Sequence, residues 1–332
     1  MSFQSVKQFF ETHLGNPAQH FEALPASGSA RVNYVGISHT GEKYIITYNE
    51  NSRENEAFFY FSSLFFDLKL NTPQLLKISE DRTTYIQTHL GDHTLSEIIS
   101  NEGLSDRVKF LVKETLTALY HFQQSTLNQI DYSKTFEYEA YNDLPITHDL
   151  YYFKNFLVDT LELHYHKSTL LKEFKEIVKR IERIEPRGLM IRDFQSRNIM
   201  VNASDKVFFI DYQSAMEGPL IYDVISMLYQ AKANFPEDFR QEMLDFYFNL
   251  YTDKETQTQL KNGVELIKLI RFMQVLGAYG FRGLIQRKAH FIESLHQGID
   301  NLYQFSEQWD EMPNFPELKQ VIKQLKTADF QL

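Results

Sequence analysis

The chain contains no cysteine. That absence removes a disulfide framework, a thiolate nucleophile, a cysteine zinc site and an iron–sulfur cluster. Basic residues are in deficit too: 34 Lys and Arg face 44 Asp and Glu, a net charge of −10. Broad nucleic-acid binding needs the opposite balance, so no nucleic-acid partner is expected. Long hydrophobic runs are missing as well. The densest, residues 58–66, is interrupted by Ser62 and Ser63 and falls short of the roughly 18 apolar residues of a membrane span. Residues 1–10 lack a basic region followed by an apolar run and read as an amphipathic helix rather than a signal peptide. The expectation is a soluble cytoplasmic protein with no membrane partner and no obligate protein partner. Aromatics are abundant, with 28 Phe and 19 Tyr in 332 residues, and the length provides core for about two domain-sized units.

The spacing of Phe3, Val6, Phe9, Phe10, His13 and Leu14 predicts a helix over 3–14, closed by Gly15. A β-rich stretch follows. It has a strand over 32–37, a turn at His39-Thr40-Gly41-Glu42, and a β-branched and aromatic strand over 43–48. Residues 53–66 return to helix, 83–88 form another strand, and Leu90-Gly91-Asp92 breaks it. Beyond 92 the pattern is mostly helical, except over 188–211, where short apolar strands flank a polar loop. No internal repeat or low-complexity tract occurs. The expected division is a strand-rich part over 1–92 and a larger helical part over 93–332, with a short hinge near Gly91.

The polar loop carries the chemistry. It presents Asp193 and Asn198, and the following strand ends in Asp211. If the two strands pair as a hairpin, Asn198 and Asp211 lie close together. An amide oxygen beside a carboxylate suits Mg²⁺ when phosphate oxygens and waters complete the octahedron. A separate carboxylate, Asp193, can take a proton from a substrate hydroxyl. Those are the parts phosphoryl transfer requires, because positioning and charge neutralisation dominate its catalysis. Singly, each feature is weak: Asp-x-x-x-x-Asn is a short pattern, and Asp after an apolar strand is often a turn former. Their ordered combination carries the reading.

Arg192-Asp193-Phe194-Gln195-Ser196-Arg197-Asn198, followed by Ile210-Asp211-Tyr212-Gln213, resembles the aminoglycoside phosphotransferase/choline kinase superfamily. Within it, the loop is most similar to bacterial N-acetylmuramate/N-acetylglucosamine anomeric kinases. Gly28-Ser29-Ala30-Arg31 resembles the nucleotide loop and Leu90-Gly91-Asp92 the hinge. The resemblance implies an α+β, protein-kinase-like two-lobe fold: a small β-rich N-lobe binds nucleotide and a large, mostly helical C-lobe carries catalysis and substrate. It implies ATP and Mg²⁺ as cofactors and a small-molecule substrate, most readily an amino sugar. Asp193 would be the catalytic base. Asn198 and Asp211 would hold Mg²⁺, and Ser27, Gly28, Ser29 and Arg197 would contact the nucleotide. Arg192 would stand on the substrate side, and Asp223 would brace the catalytic loop or cap its helix. The segment 141–153 matches in position the lining of the sugar pocket, and His148 and Asp149 are its candidate hydroxyl-binding groups. Asp149 alternatively caps the helix it begins.

Two departures stand out. Ile191 occupies the place where the family usually has His, and the strand over 43–48 has Thr47 where a kinase lysine is expected. Lys43 is the only lysine in that strand; it shares a face with Thr47 and could substitute, but it reads better as a solvated strand end. Of the acids Glu54 and Glu56 on the next helix, Glu56 is carried as the candidate partner of that lysine. Three readings follow: an amino-sugar kinase, an aminoglycoside- or choline-type kinase, and a nucleotide-binding pseudokinase. Gly277-Ala278-Tyr279-Gly280-Phe281-Arg282-Gly283, glycine-rich inside a helical pattern, is read as a site of close helix packing.

Overall fold

A computed structural model describes residues 2–25, 30–230 and 233–328. In chain order the elements begin with α1 (Phe3–Leu14), β1 (His20–Ala23), β2 (Val32–Ile37), β3 (Lys43–Tyr48), α2 (Ser52–Asp67), β4 (Leu75–Ile78), β5 (Thr84–Thr88) and β6 (His93–Thr94). There follow α3 (Leu95–Glu102), α4 (Asp106–Ser125), α5 (Asp143–Phe153), α6 (Lys167–Glu182), β7 (Arg187–Met190), β8 (Ile199–Val201) and β9 (Val207–Phe209). The remainder is β10 (Met216–Pro219), α7 (Ile221–Leu228), α8 (Glu237–Asn249), α9 (Lys254–Gly280), α10 (Ala289–Gln308) and α11 (Pro316–Thr327). The chain packs as two units: Met1–Glu139 with Ile191–Ala215, and Ala140–Met190 with Met216–Leu332.

The first unit is built on an antiparallel sheet with strand order β1-β2-β3-β5-β4. Alternation of side chains gives this sheet two distinct faces. Tyr34, Ile46 and Ile86 lie on one face and form a core with Val6 and Phe10 of α1. On the other face Asn33 sits opposite Thr47, Thr47 opposite Tyr85, Val35 opposite Ile45, and Ile45 opposite Gln87. Phe58 of α2 stacks on Tyr85 at 4.9 Å and on Tyr212 at 5.2 Å. The first turn of α2 is fixed by Asn51, whose side chain accepts from the Glu54 N–H. Buried Asn55 also donates to the backbone carbonyls of Asn49 and Arg82, tying the helix to the ends of β3 and β5.

A second antiparallel sheet of this unit has the order β6-β8-β9. The expected boundary at residue 92 falls inside the unit, because His93 and Thr94 pair with Val201 and Met200 of β8. Gly91 makes the approach possible. Its φ is +137°, and a Cβ there would lie 2.7 Å from the Val201 carbonyl oxygen.

The second unit contains the β7–β10 pair and the long helices. α5 runs directly into a π-helical turn, Lys154–Val158, and α9 into another, Phe281–Ile285. Gly277 and Gly280 lie against the backbone of residues 152–157, where a Cβ would stand 2.7 Å from the Phe153 nitrogen and 2.3 Å from the Phe156 oxygen. The glycine-rich segment is thus a packing surface.

Candidate active site

The loop between Ile191 and β8 is held by its own backbone and by one amide side chain. Arg192 takes the left-handed conformation, φ 73°, which turns the chain sharply after buried Ile191. The Asp193 N–H donates to the Ile191 carbonyl at 3.0 Å, and Phe194 drops into the core edge-on to Phe209. A 3₁₀ turn, Ser196–Asn198, then leads into β8. Pairing of Ile199 with Phe209 sets Asn198 beside the end of β9, and the Ile210 N–H donates to the Asn198 carbonyl.

These contacts bring Asp193, Asn198 and Asp211 together. The Asn198 amide nitrogen donates to the Asp193 carbonyl at 2.9 Å and to Asp211 Oδ2 at 3.2 Å. Those two bonds use the nitrogen, so the amide oxygen can face a cation. Asp211 also sits at left-handed φ, 65°, and Gln213 Nε2 donates to its Oδ1 at 3.1 Å. Tyr212, fully buried, anchors the turn through its hydroxyl to Ser62 at 2.7 Å.

A further residue joins the cluster, one to which sequence reasoning gave no role of its own. Arg31, just ahead of β2, donates through Nη2 to Asp211 Oδ1 and reaches Glu54 Oε1 through Nε at 3.4 Å. Burial pushes the Asp211 carboxyl upward, but the Arg31 guanidinium beside it and the bonds from Arg31 and Gln213 outweigh that. The group stays below the usual carboxylate range, and Arg197 adds a smaller downward pull. Arg197 itself is exposed on the 3₁₀ turn.

Arg31, Asn198 and Asp211 line a cavity of about 570 Å³ in the first unit. Its wall is the second face of the large sheet, with Asn33, Val35, Ile45 and Thr47 among the lining residues. The hinge residues His89, Leu90 and Gly91 also line it, as do Lys43 and Asp92. Lys43 and Thr47 are four residues apart on β3, so the two regions of the cavity are separated by roughly 13 Å.

The structure sorts the other sequence candidates. Ser27, Gly28 and Ser29 lie outside the described residues. Lys43 pairs with Asp92 at 2.5 Å on the exposed rim, far along β3 from Asp211. Glu56 is engaged outside the cavity by Arg82, so Glu54 replaces it as the helix-borne acid of the cluster. In the second unit, Asp149 lies mid-helix and accepts a hydrogen bond from the Tyr141 hydroxyl at 2.9 Å. It does not cap α5, which begins at Asp143 with Asn142 as its cap. His148 is 59% exposed, with Nδ1 3.9 Å from the Asp149 carboxylate. Phe153 is core, and Tyr152, Phe156 and Phe281 form an aromatic cluster. Asp223 is buried as the third residue of α7, whose cap position is Leu220.

Among the described residues, no group of three or more His, Asp or Glu is disposed to hold a metal. A single amide oxygen and a single carboxylate nevertheless match the sparse protein ligation of Mg²⁺ in phosphate-binding sites, so the donor set fits that ion. No helix among the described residues is long and apolar enough to cross a membrane.

Comparison with known proteins places this geometry. A curated relative, the N-acetylmuramate/N-acetylglucosamine kinase of Pseudomonas aeruginosa, is 22% identical over 236 residues. The match spans 70% of this chain and 66% of that kinase, just under two thirds of its length. Choline kinase LicA from Streptococcus pneumoniae superposes with a TM-score of 0.63 at 11% identity, covering 91% of this chain and 98% of that one. An aminoglycoside phosphotransferase solved with ADP and hygromycin B superposes with a TM-score of 0.59 at 16% identity, covering 90% and 98%. The fold is therefore the protein-kinase-like α+β fold of these enzymes. The model of the phosphotransferase enzyme family, APH, matches residues 63–259. That span is more than half of the chain and contains Asp193, Asn198 and Asp211, and the chain belongs to this family.

Proposed function

We propose that the protein is an ATP-dependent kinase that phosphorylates a hydroxyl of a small molecule, an amino sugar of the N-acetylmuramate or N-acetylglucosamine type. The observation that carries this reading is the cluster of Asp193, Asn198 and Asp211, with the last two lining a cavity of nucleotide size. The substrate oxygen attacks the γ-phosphorus, the bond to the ADP oxygen breaks, and the hydroxyl proton passes to Asp193. Asn198 through its amide oxygen and Asp211 through its carboxylate would hold Mg²⁺, which when bound neutralises phosphate charge. The turn through Arg192 and the Asn198 bond to the Asp193 carbonyl fix the base, so little reorganisation is needed at the moment of transfer. Arg197, exposed beside the site, adds positive charge for the nucleotide. In the second unit, His148, which is exposed, is assigned to a sugar hydroxyl, while Asp149 is buried and accepts from the Tyr141 hydroxyl.

The amino-sugar choice is supported by the loop Arg192-Asp193-Phe194-Gln195-Ser196-Arg197-Asn198 and by the relative from Pseudomonas aeruginosa. A screen of neutral, anionic and cationic alcohols with Mg·ATP, read by product NMR, tests it. Phosphorylation of an N-acetylated sugar is expected, and turnover confined to cationic alcohols would overturn the substrate class. Asp193→Asn should lower turnover about 10²–10⁴-fold while nucleotide binding persists. Transfer at the parent's rate would remove Asp193 from its role.

A further inference from the structure

The geometry points to Arg31 as the residue that grips the nucleotide's phosphates, in place of a lysine at the position β3 fills with Thr47. This rests on the kinase reading above. Strand alternation supplies the first argument. Asn33 lies opposite Thr47, and their side chains are bonded at 2.8 Å. Arg31 is two residues before Asn33, so it projects from the same face of the sheet. The neighbouring strand thus delivers a cation to the region where Thr47, 1% exposed, ends in a short hydroxyl.

The contacts of the guanidinium supply the second argument. It bridges Glu54 of α2 and Asp211 with its side chain only 14% exposed. Glu54 is itself held by Asn49 Nδ2 at 2.8 Å, which fixes the angle from which it orients Arg31. Arg31 faces two carboxylates, with Arg197 adding only a smaller pull on Asp211, so the Mg²⁺ that accompanies a nucleotide would supply the balancing charge at Asp211 and free the guanidinium for phosphate. A guanidinium carries five N–H donors in a planar fork suited to phosphate. Exchanging the Asp211 contact for a phosphate oxygen therefore leaves the Glu54 contact in place. Lys43, the cation elsewhere along the cavity, is committed to Asp92.

The test compares ATP with adenosine, which lacks phosphates, by titration calorimetry on the full chain with Mg²⁺ present. Arg31→Met should weaken ATP binding about 10–100-fold, the range of a lost charged hydrogen bond, and leave adenosine within about twofold. Adding Thr47→Lys to Arg31→Met should recover at least fivefold of ATP affinity, since the charge returns to the same face one strand over. Arg31→Lys keeps the charge but loses the fork; it should give an intermediate ATP loss and carries the test if Arg31→Met does not fold. Equal losses for ATP and adenosine, or parent-like ATP binding in both single variants, would overturn the assignment of Arg31 alone. A parent protein that binds neither ligand would overturn it together with the kinase reading.

Discussion

Asn198 carries two loads with one side chain. Its amide nitrogen ties the carbonyl of Asp193 to the carboxylate of Asp211, and its oxygen is the proposed metal ligand. Replacing it by leucine keeps the branched shape, with somewhat larger volume, and removes both functions. Asn198→Leu is expected to destabilise the metal-free protein by about 1–3 kcal/mol, because the partly buried Asp193 carbonyl and Asp211 carboxylate lose a donor. Thermal unfolding in a chelator checks this, and an unchanged midpoint would show that the two hydrogen bonds contribute nothing. The same scale explains why Glu54 and not Glu56 belongs to the cluster. Two residues apart on a helix means about 200° of rotation, so only one of the pair can face Arg31. Glu56 points to Arg82 instead.

At the scale of elements, α9 and α11 show how backbone requirements become packing. Gly280→Ala would press a methyl against the Phe156 carbonyl, which belongs to a π-turn and cannot move as a side chain would. Overpacking of this kind costs about 1–3 kcal/mol or more. Gly280→Ala is expected to lower the unfolding midpoint, whereas Gly15→Asn, with open space around it and a left-handed φ of 70°, should show only the smaller backbone cost. α11 has no side-chain cap of its own. Glu173 of α6 supplies one from a distance, accepting from the N–H groups of Glu317 and Leu318 at 2.9 and 2.8 Å. Burial holds its carboxyl above the ordinary range while these two bonds oppose the shift. Glu173→Ala should cost about 1–2 kcal/mol and speed amide exchange at the start of α11. Protection unchanged at those amides would show that water caps the helix equally well.

For the whole molecule, the described lining of the proposed nucleotide cavity comes from the first unit, even though the chain leaves that unit at residue 139 and returns at 191. ADP should therefore slow amide exchange in β2, β3, β5, β8 and β9 before any effect appears in α10 or α11. At 100 times its Kd it should stabilise the protein by about 2.7 kcal/mol. Exchange mapped by mass spectrometry with and without ADP decides this, and protection confined to the second unit would displace the nucleotide from the cavity. The net charge of −10 is no obstacle to a polyphosphate, because the local charge decides: Arg31 pairs with Asp211 in a largely buried setting where screening by solvent is weak, and exposed Arg197 adds a smaller attraction.

Local pattern by itself determined much of this protein. Hydrophobic periodicity placed α1, α2, β2, β3 and β5, and the absence of cysteine pointed to an oxygen-based chemistry. The motif from Arg192 to Asp211 marked the family, since its residues flank the two ends of one hairpin whose pairing short-range sequence dictates. The glycine-rich run of α9 was legible as packing for the same local reason. Tertiary structure decided what depends on register and rotation between distant segments. It chose Glu54 over Glu56, assigned Lys43 to Asp92, set Asp149 mid-helix under Tyr141, and brought Arg31 across 180 residues to Asp211. Such a contact has no period to read. It exists only once β2 is paired with β3 and the β8–β9 hairpin is in place, because only then do an arginine before one strand and a carboxylate after another share a cavity.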